Sequence, residues 1–419
     1  MRKEVNESMK KRGHLEAARI LEIPGGVTVA KGFLASGIAA GIKTSKGLDC
    51  GLLQSESSCS AAGAFTSNKV RASSVDWSEG VLPSARVRAV FANSGNANAC
   101  TGARGARDTD RIASLVGKMV GAGPRSVLVA STGVIGHALP MDLIEKNIPA
   151  LRLAADPSER GGRAFSEAIL TTDTKRKEAA VSVETHAGRY VIGGCAKGSG
   201  MIHPNLATML CFITTDAAIK PAALNATVKQ TVDATFNNLT VDGDTSTNDM
   251  VLVLANGVSG TRVEGAEGAR VFAEALRRVC DSLCSQIAAD GEGATKRVEI
   301  RVCGAKTFAD AKKAAKAVAN SNLVKTALFG NDPNWGRIVC AVGYSGATVQ
   351  PERLSVRLCG TKVFAQGGPA KFDAAALSKR MKSKVIVIEI DLGTGKECAV
   401  AHTCDLTYDY IKINADYHT

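Results

Sequence analysis

A mixed α/β fold in two or more lobes is what this 419-residue chain predicts, on three observations. The length exceeds what one typical core holds. Short apolar runs of strand length, bounded by Gly, Asn and Pro, alternate with longer stretches of helical period. Aromatic content is only 4% against 42 Gly, which favours cores of Val, Ile, Leu and Ala joined by tight turns. Hydrophobic content of 45% and charged content of 22% are ordinary for a soluble globular protein.

Taken in order, residues 1–23 read as a short frayed or helical extension. Residues 1–19 lack the apolar core of a secretory signal, and Glu4, Glu7 and Glu16 argue against a transit peptide. Strands joined by Gly turns follow at 25–29, 33–42 and 51–65. A strand at 87–92 runs into Asn93-Ser94-Gly95-Asn96-Ala97-Asn98, a polar loop of the kind that frames sites. A helix at 106–120 precedes a strand at 126–130, which ends in Ser131-Thr132-Gly133. Helices fill 141–169, punctuated by Pro157, and a hairpin spans 181–192 around Ala187-Gly188. An apolar run at 208–215 reads as a buried strand. Helices are expected at 217–237, 266–289 and 310–328, with Cys280 and Cys284 on one face of the second. Strands at 298–302, 355–359, 384–392 and 397–405 lead to an aromatic-rich tail that should dock rather than fray.

Net charge is +12, a sign that suits an acidic substrate as well as solubility. No basic run is interleaved with aromatics and no recognition-helix or finger pattern occurs, so nucleic acid is not an expected partner. No apolar run approaches the roughly 18 residues of a membrane span. The twelve Cys include no Cys-x-x-Cys pair, and Cys211, Cys303, Cys340 and Cys359 sit in apolar runs as small hydrophobes. A reducing compartment, the cytoplasm, follows. The six His show no metal-ligand spacing, and there is no phosphate or dinucleotide loop, so neither a metal nor a tightly bound cofactor is expected.

The chemistry concentrates between Lys197 and Thr215. Gly198, Gly200 and Pro204 make a turn-rich segment, and Thr208 stands where it becomes strand. The plain reading is a Gly-containing loop entering a core strand. The reactive reading is a Thr that acquires its own base: once the bond before it breaks, the free α-amine activates the hydroxyl. Elsewhere, a strand ending in Thr132-Gly133 can aim a hydroxyl and a backbone N–H at one point, as an oxyanion hole requires. Thr171-Thr172-Asp173-Thr174 offers hydroxyls and one carboxylate, and Glu292 lies between two Gly. Residues 241–249 lack the Gly and Glu of a calcium loop.

Lys197-Gly198-Ser199-Gly200-Met201-Ile202-His203-Pro204-Asn205-Leu206-Ala207-Thr208, together with the Asn93–98 loop, 242–249 and Gly330-Asn331-Asp332-Pro333-Asn334-Trp335-Gly336, resembles the ornithine acetyltransferase family, also called glutamate N-acetyltransferase or ArgJ. The likeness runs from residue 24 to the last residue. It implies a layered α/β sandwich of the ornithine acetyltransferase/DmpA type, cut autocatalytically between Ala207 and Thr208 into an α chain, 24–207 behind the extension, and a β chain, 208–419. Two of each would assemble. It implies Thr208 as nucleophile, Thr132 and Gly133 as the oxyanion hole, and Thr171, Lys197, Thr208, Glu292, Asn414 and Thr419 as substrate contacts. The implied reaction is ping-pong transfer of acetyl from N-acetylornithine to glutamate. One alternative is a bifunctional enzyme that also draws acetyl from acetyl-CoA. Aminopeptidases of related fold cut before Ser instead. An alternative of another class is an inactive basic binding protein of the same fold. The 330–338 segment is expected to pack around the site.

Overall fold

The computed structural model describes residues 18–203 and 209–416. Ala207, Thr208 and Thr419 therefore lie outside the described residues, as does most of the 1–23 extension.

The first lobe is built on a nine-stranded sheet of β1 (Arg19–Ile23), β2 (Phe33–Ile38), β3 (Cys50–Phe65), β4 (Ser84–Asn93), β5 (Val127–Ser131), β6 (Lys177–Thr185), β7 (Gly188–Lys197), β8 (Leu210–Thr215) and β9 (Met250–Ala255). Its order is β1-β6-β7-β8-β9-β3-β4-β5, with β2 also on β3. The 16-residue β3 joins two halves: its start pairs with β2 and β4, its end with β9. Strand alternation sorts the side chains into layers. Phe212 of β8 and Val90 and Leu128 of β4 and β5 share an inner cluster, while Cys211 and Ile213 turn outward, as do Phe91 and Val129.

Helices pack against both halves. α1 (Ser73–Val81), α2 (Gly102–Met119), α3 (Met141–Leu153) and α4 (Glu159–Ala168) serve the β2–β5 half, and α5 (Pro221–Ala234) and α6 (Gly265–Ala289) the other. α4 inserts Phe165, whose ring meets Phe212 edge-on at 5.1 Å between centroids. On α6, Phe272, Leu276, Val279, Leu283 and Ile287 recur at helical spacing and are buried. Cys280 and Cys284 join them on that face, as their spacing predicts.

The second lobe has a six-stranded sheet of β10 (Arg297–Ala305), β11 (Ser355–Leu358), β12 (Thr361–Ala365), β13 (Gly368–Pro369), β14 (Val385–Asp391) and β15 (Glu397–Cys404), ordered β13-β12-β11-β14-β10-β15. α7 (Phe308–Asn320), α8 (Asn322–Phe329), α9 (Trp335–Gly343) and α10 (Ala374–Arg380) accompany it, with its own aliphatic core. α11 (Tyr408–Asp416) ends the described chain. The layered α/β sandwich that the resemblance implied is thus the observed architecture. No helix among the described residues is long and apolar enough to cross a membrane.

Local departures have local causes. Residues 25–29 form a turn, not a strand: Val29 N–H closes on Gly26 O, and Gly25 stands at φ +122°. Arg19–Ile23, placed in the extension, pairs antiparallel with β6 at the sheet edge. The helix expected over 310–328 breaks at Ser321, whose hydroxyl accepts from Val324 N–H and starts α8. Trp335 stacks on Phe364 in the second core, 5.5 Å between centroids, so the 330–338 segment packs there and not around the site. Cys340 is exposed, and Cys303 is disulfide-bonded to Cys398 across β10 and β15, a pairing the reducing-compartment reading did not anticipate.

Candidate active site

The segments after β5, α4 and β7, the entry to β8, and the segments before β9 and after α6 converge on one pocket. Thr132, Gly133, Thr171, Lys197, Glu292 and Asn414 all line it, joined by Met201, Met209 and Asp249. Six residues nominated from the sequence, spread over 283 positions (132 to 414), are therefore neighbours.

At one wall, Thr132 and Gly133 follow β5 directly. Thr132 N–H donates to Asn93 O at 3.0 Å and Val134 N–H to Gly95 O at 3.4 Å, which pins the turn to the Asn-rich loop on both sides of Gly133. Gly133 stands at φ +133°, and a Cβ there would lie 2.3 Å from the Gly95 carbonyl carbon and 2.5 Å from Asn96 N. Only glycine fits so close a backbone crossing. Gly133→Ala is accordingly expected to push the two loops apart and misplace the N–H, lowering kcat by about 10²–10³. Steady-state kinetics on the folded variant check this, and an unchanged kcat would remove Gly133 from the oxyanion role.

The opposite wall is charged. Lys197, at the end of β7, has Nζ 3.8 Å from Asp173 Oδ2. The Asp173 side chain is fully buried and accepts from Lys177 Nζ at 2.7 Å, Gly198 N–H at 2.6 Å and Thr171 N–H at 3.2 Å. Lys177, also buried, bridges on to Asp290 at 2.6 Å. Burial alone would raise the Asp173 pKa, but Lys197, Lys177 and the Gly198 amide outweigh it and hold the carboxyl below its usual range. Asp173 thus fixes two of the nominated substrate contacts, Thr171 and Lys197. The sequence reading noticed this carboxylate only as one member of a hydroxyl-rich run.

The 242–249 segment, whose roles the sequence left open, ties the loops together. Asp242 accepts from Met201 N–H at 2.7 Å and Ile202 N–H at 2.8 Å. Burial raises its pKa against the pull of those amides. Thr245 donates to His203 O at 2.9 Å, and Asn248 Nδ2 to Ala97 O at 2.6 Å and Ser131 O at 2.8 Å. His203 Nδ1 lies 3.1 Å from Thr240 Oγ1, and burial lowers the ring's pKa.

Glu292 closes the pocket with the tail. Its N–H donates to Ser199 O at 2.9 Å, and a Cβ on Gly200 would sit 2.2 Å from its carboxylate. Asn414 of α11 donates to Glu292 Oε2 at 2.9 Å. Gly293, at φ +67°, lets α11 pass where a Cβ would meet Tyr410 N at 2.4 Å. The tail docks as expected, with the Tyr408 ring edge-on to Phe329. Among the described residues, then, an N–H and hydroxyl pair faces a cation, a carboxylate and an amide across one small cavity. That is a set able to hold an amino acid while an acyl group reacts beside it.

Comparison with known proteins points the same way. The ArgJ family matches residues 34–419. The arginine biosynthesis bifunctional protein ArgJ of Symbiobacterium thermophilum is 49% identical over 401 residues, 95% of this chain and 99% of that protein. The solved structure of its namesake from Bacillus halodurans is 42% identical, with a TM-score of 0.49, covering 50% of this chain and 100% of that one. Ornithine acetyltransferase from Mycobacterium tuberculosis, solved with ornithine, is 41% identical with a TM-score of 0.42, covering 45% of this chain and 100% of its own. On the extent of the family match and of the Symbiobacterium relative, the chain belongs to the ArgJ family.

Proposed function

We propose that this protein transfers acetyl from N2-acetyl-L-ornithine to L-glutamate in arginine biosynthesis, through an acetyl ester on Thr208. The observation that carries the reading is the convergence of Thr132, Gly133, Thr171, Lys197, Glu292 and Asn414 on one pocket that Met209 also lines. Thr208 is bonded to Met209.

Maturation comes first. The Thr208 hydroxyl attacks the Ala207 carbonyl, the C–N bond breaks, and an ester forms in its place. Water hydrolyses the ester, leaving a carboxylate on Ala207 and a free α-amine and hydroxyl on Thr208. Cleavage does not dissolve the fold, because β7 before the cut and β8 after it pair from Ile192–Thr215 to Lys197–Leu210. The α chain, 1–207, and the β chain, 208–419, stay together, and two of each form the working assembly.

In turnover the α-amine, with an unperturbed pKa of about 7.7–8.0, takes the hydroxyl proton as oxygen attacks the acetyl carbonyl. Thr132 and the Gly133 N–H hold the developing oxyanion. The tetrahedral species collapses, the ornithine amine leaves with the proton, and acetyl remains on Thr208. The neutral amine of glutamate then attacks the ester by the reverse steps and leaves as N-acetylglutamate. Lys197 faces a substrate carboxylate and Glu292 a substrate ammonium, with Thr171, Asn414 and Thr419 completing the contacts. The cytoplasm is its place of action.

Intact mass spectrometry of the purified protein incubated with N-acetylornithine tests this. Two chains are expected, with the 208–419 chain one acetyl group heavier. A continuous chain that still turns over would overturn the mechanism. A second reading is favoured by the word bifunctional in the relative's name: the same ester is also loaded from acetyl-CoA. Glutamate acetylation with acetyl-CoA as sole donor decides it. Nothing in the pocket favours an inactive binding protein.

A further inference from the structure

The chain from Gly198 to His203 is held by other segments at several of its backbone groups. Gly198 N–H donates to Asp173, Ser199 O accepts from Glu292 N–H, Ile202 O from Val241 N–H and His203 O from the Thr245 hydroxyl. Within this frame Met201 stands at φ +55°. A side chain makes that left-handed conformation costly, and Gly or Asn usually occupy it. Its effect is to turn two successive amides, those of Met201 and Ile202, toward one point. Such paired amides form a concavity for an anion. Asp242 fills it, one oxygen to each amide, at 2.7 and 2.8 Å. Tyr410 of α11 donates to the same carboxylate at 3.3 Å, so the tail that bears Asn414 braces it.

We propose that Asp242 is a positioning residue for self-cleavage: its carboxylate holds Met201 in the left-handed conformation and so fixes the start of the chain that leads to Ala207 and Thr208. This rests on the self-cleavage reading above. Asp242 takes no part in the bond changes. It supplies the acceptors without which the Met201 turn relaxes toward ordinary angles.

The test follows maturation of freshly synthesised chain on denaturing gels over time. Asp242→Asn, which turns an amide N–H toward the backbone donors, should slow splitting at least tenfold. Adding Met201→Gly in that background should recover at least threefold, because glycine adopts the left-handed conformation without penalty. A fold defect would not respond that way. Met201→Val keeps the carboxylate but places a β-branched residue at positive φ, and should also slow splitting at least fivefold. If Asp242→Asn proves insoluble, Met201→Val decides alone. Wild-type rates in either single variant, or a double variant no faster than Asp242→Asn, overturn the proposal. A wild-type chain that never splits overturns instead the self-cleavage reading beneath it.

Discussion

Replacing Thr208 by Ala is expected to leave one 43.5 kDa chain that transfers no acetyl group. The substitution removes one hydroxyl and one methyl group, yet two chemical events depend on the hydroxyl. Without the hydroxyl nothing attacks the Ala207 carbonyl, so the α-amine never forms. Without hydroxyl and amine there is no ester and no base. The remaining Thr132–Gly133 pair can stabilise an oxyanion only if something creates one. Loss of a covalent nucleophile costs on the order of 10⁴ or more in kcat, and here no second route carries the acetyl group. Thr208→Ser separates the two roles of the hydroxyl from the size of the side chain. It should split slowly and retain measurable transfer. Denaturing gels and a glutamate-dependent transfer assay check both variants; two chains from Thr208→Ala would end the proposed mechanism.

What the sequence made legible is local and chemical. Strands that end in Asn or Gly turns could be placed within a few residues, and Gly133 could be suspected because a Thr-Gly pair closes a strand. The placing of Cys280 and Cys284 on one face of α6 followed from period alone. The resemblance then singled out residues that the fold brings to one pocket. What stayed hidden depends on contacts across distance. Asp173 holds Gly198 25 positions away and Asp242 holds Met201 41 positions away. Neither spacing leaves a periodic mark. Gly200 looked like loop flexibility, whereas in the structure the Glu292 carboxylate lies against it. The break at Ser321 was masked by the strong helix propensity on both sides of it. Trp335 drew attention by rarity, but it stacks on Phe364 inside the core of the second lobe.

Asp173→Asn is expected to lower both stability and substrate affinity, and the pH dependence tells charge from shape. The wild-type cluster balances Lys177 and Lys197 against Asp173 and Asp290, with Asp173 and Lys177 almost wholly buried. Asn has nearly the same volume, so packing changes little. The change leaves two cations facing one carboxylate and gives Gly198 N–H, Thr171 N–H and Lys177 a weaker acceptor. Breaking a buried pair from one side costs about 3–5 kcal/mol, which for a chain of this size lowers Tm by roughly 3–6 °C. Lys197 and Thr171 lose their anchor together, so KM for N-acetylornithine should rise about tenfold with a smaller fall in kcat. The folded carboxyl titrates below its unfolded value of about 3.9. Its stabilising contribution is therefore complete above that unfolded value and disappears as pH falls through the lower folded pKa. The Tm gap between wild type and variant should be full at pH 7 and narrow in acid, as wild-type Asp173 becomes protonated and resembles the amide. A gap of constant size from pH 7 to acid would mean that the carboxylate matters for its shape alone, and that Lys197 is held in the pocket by something other than its charge.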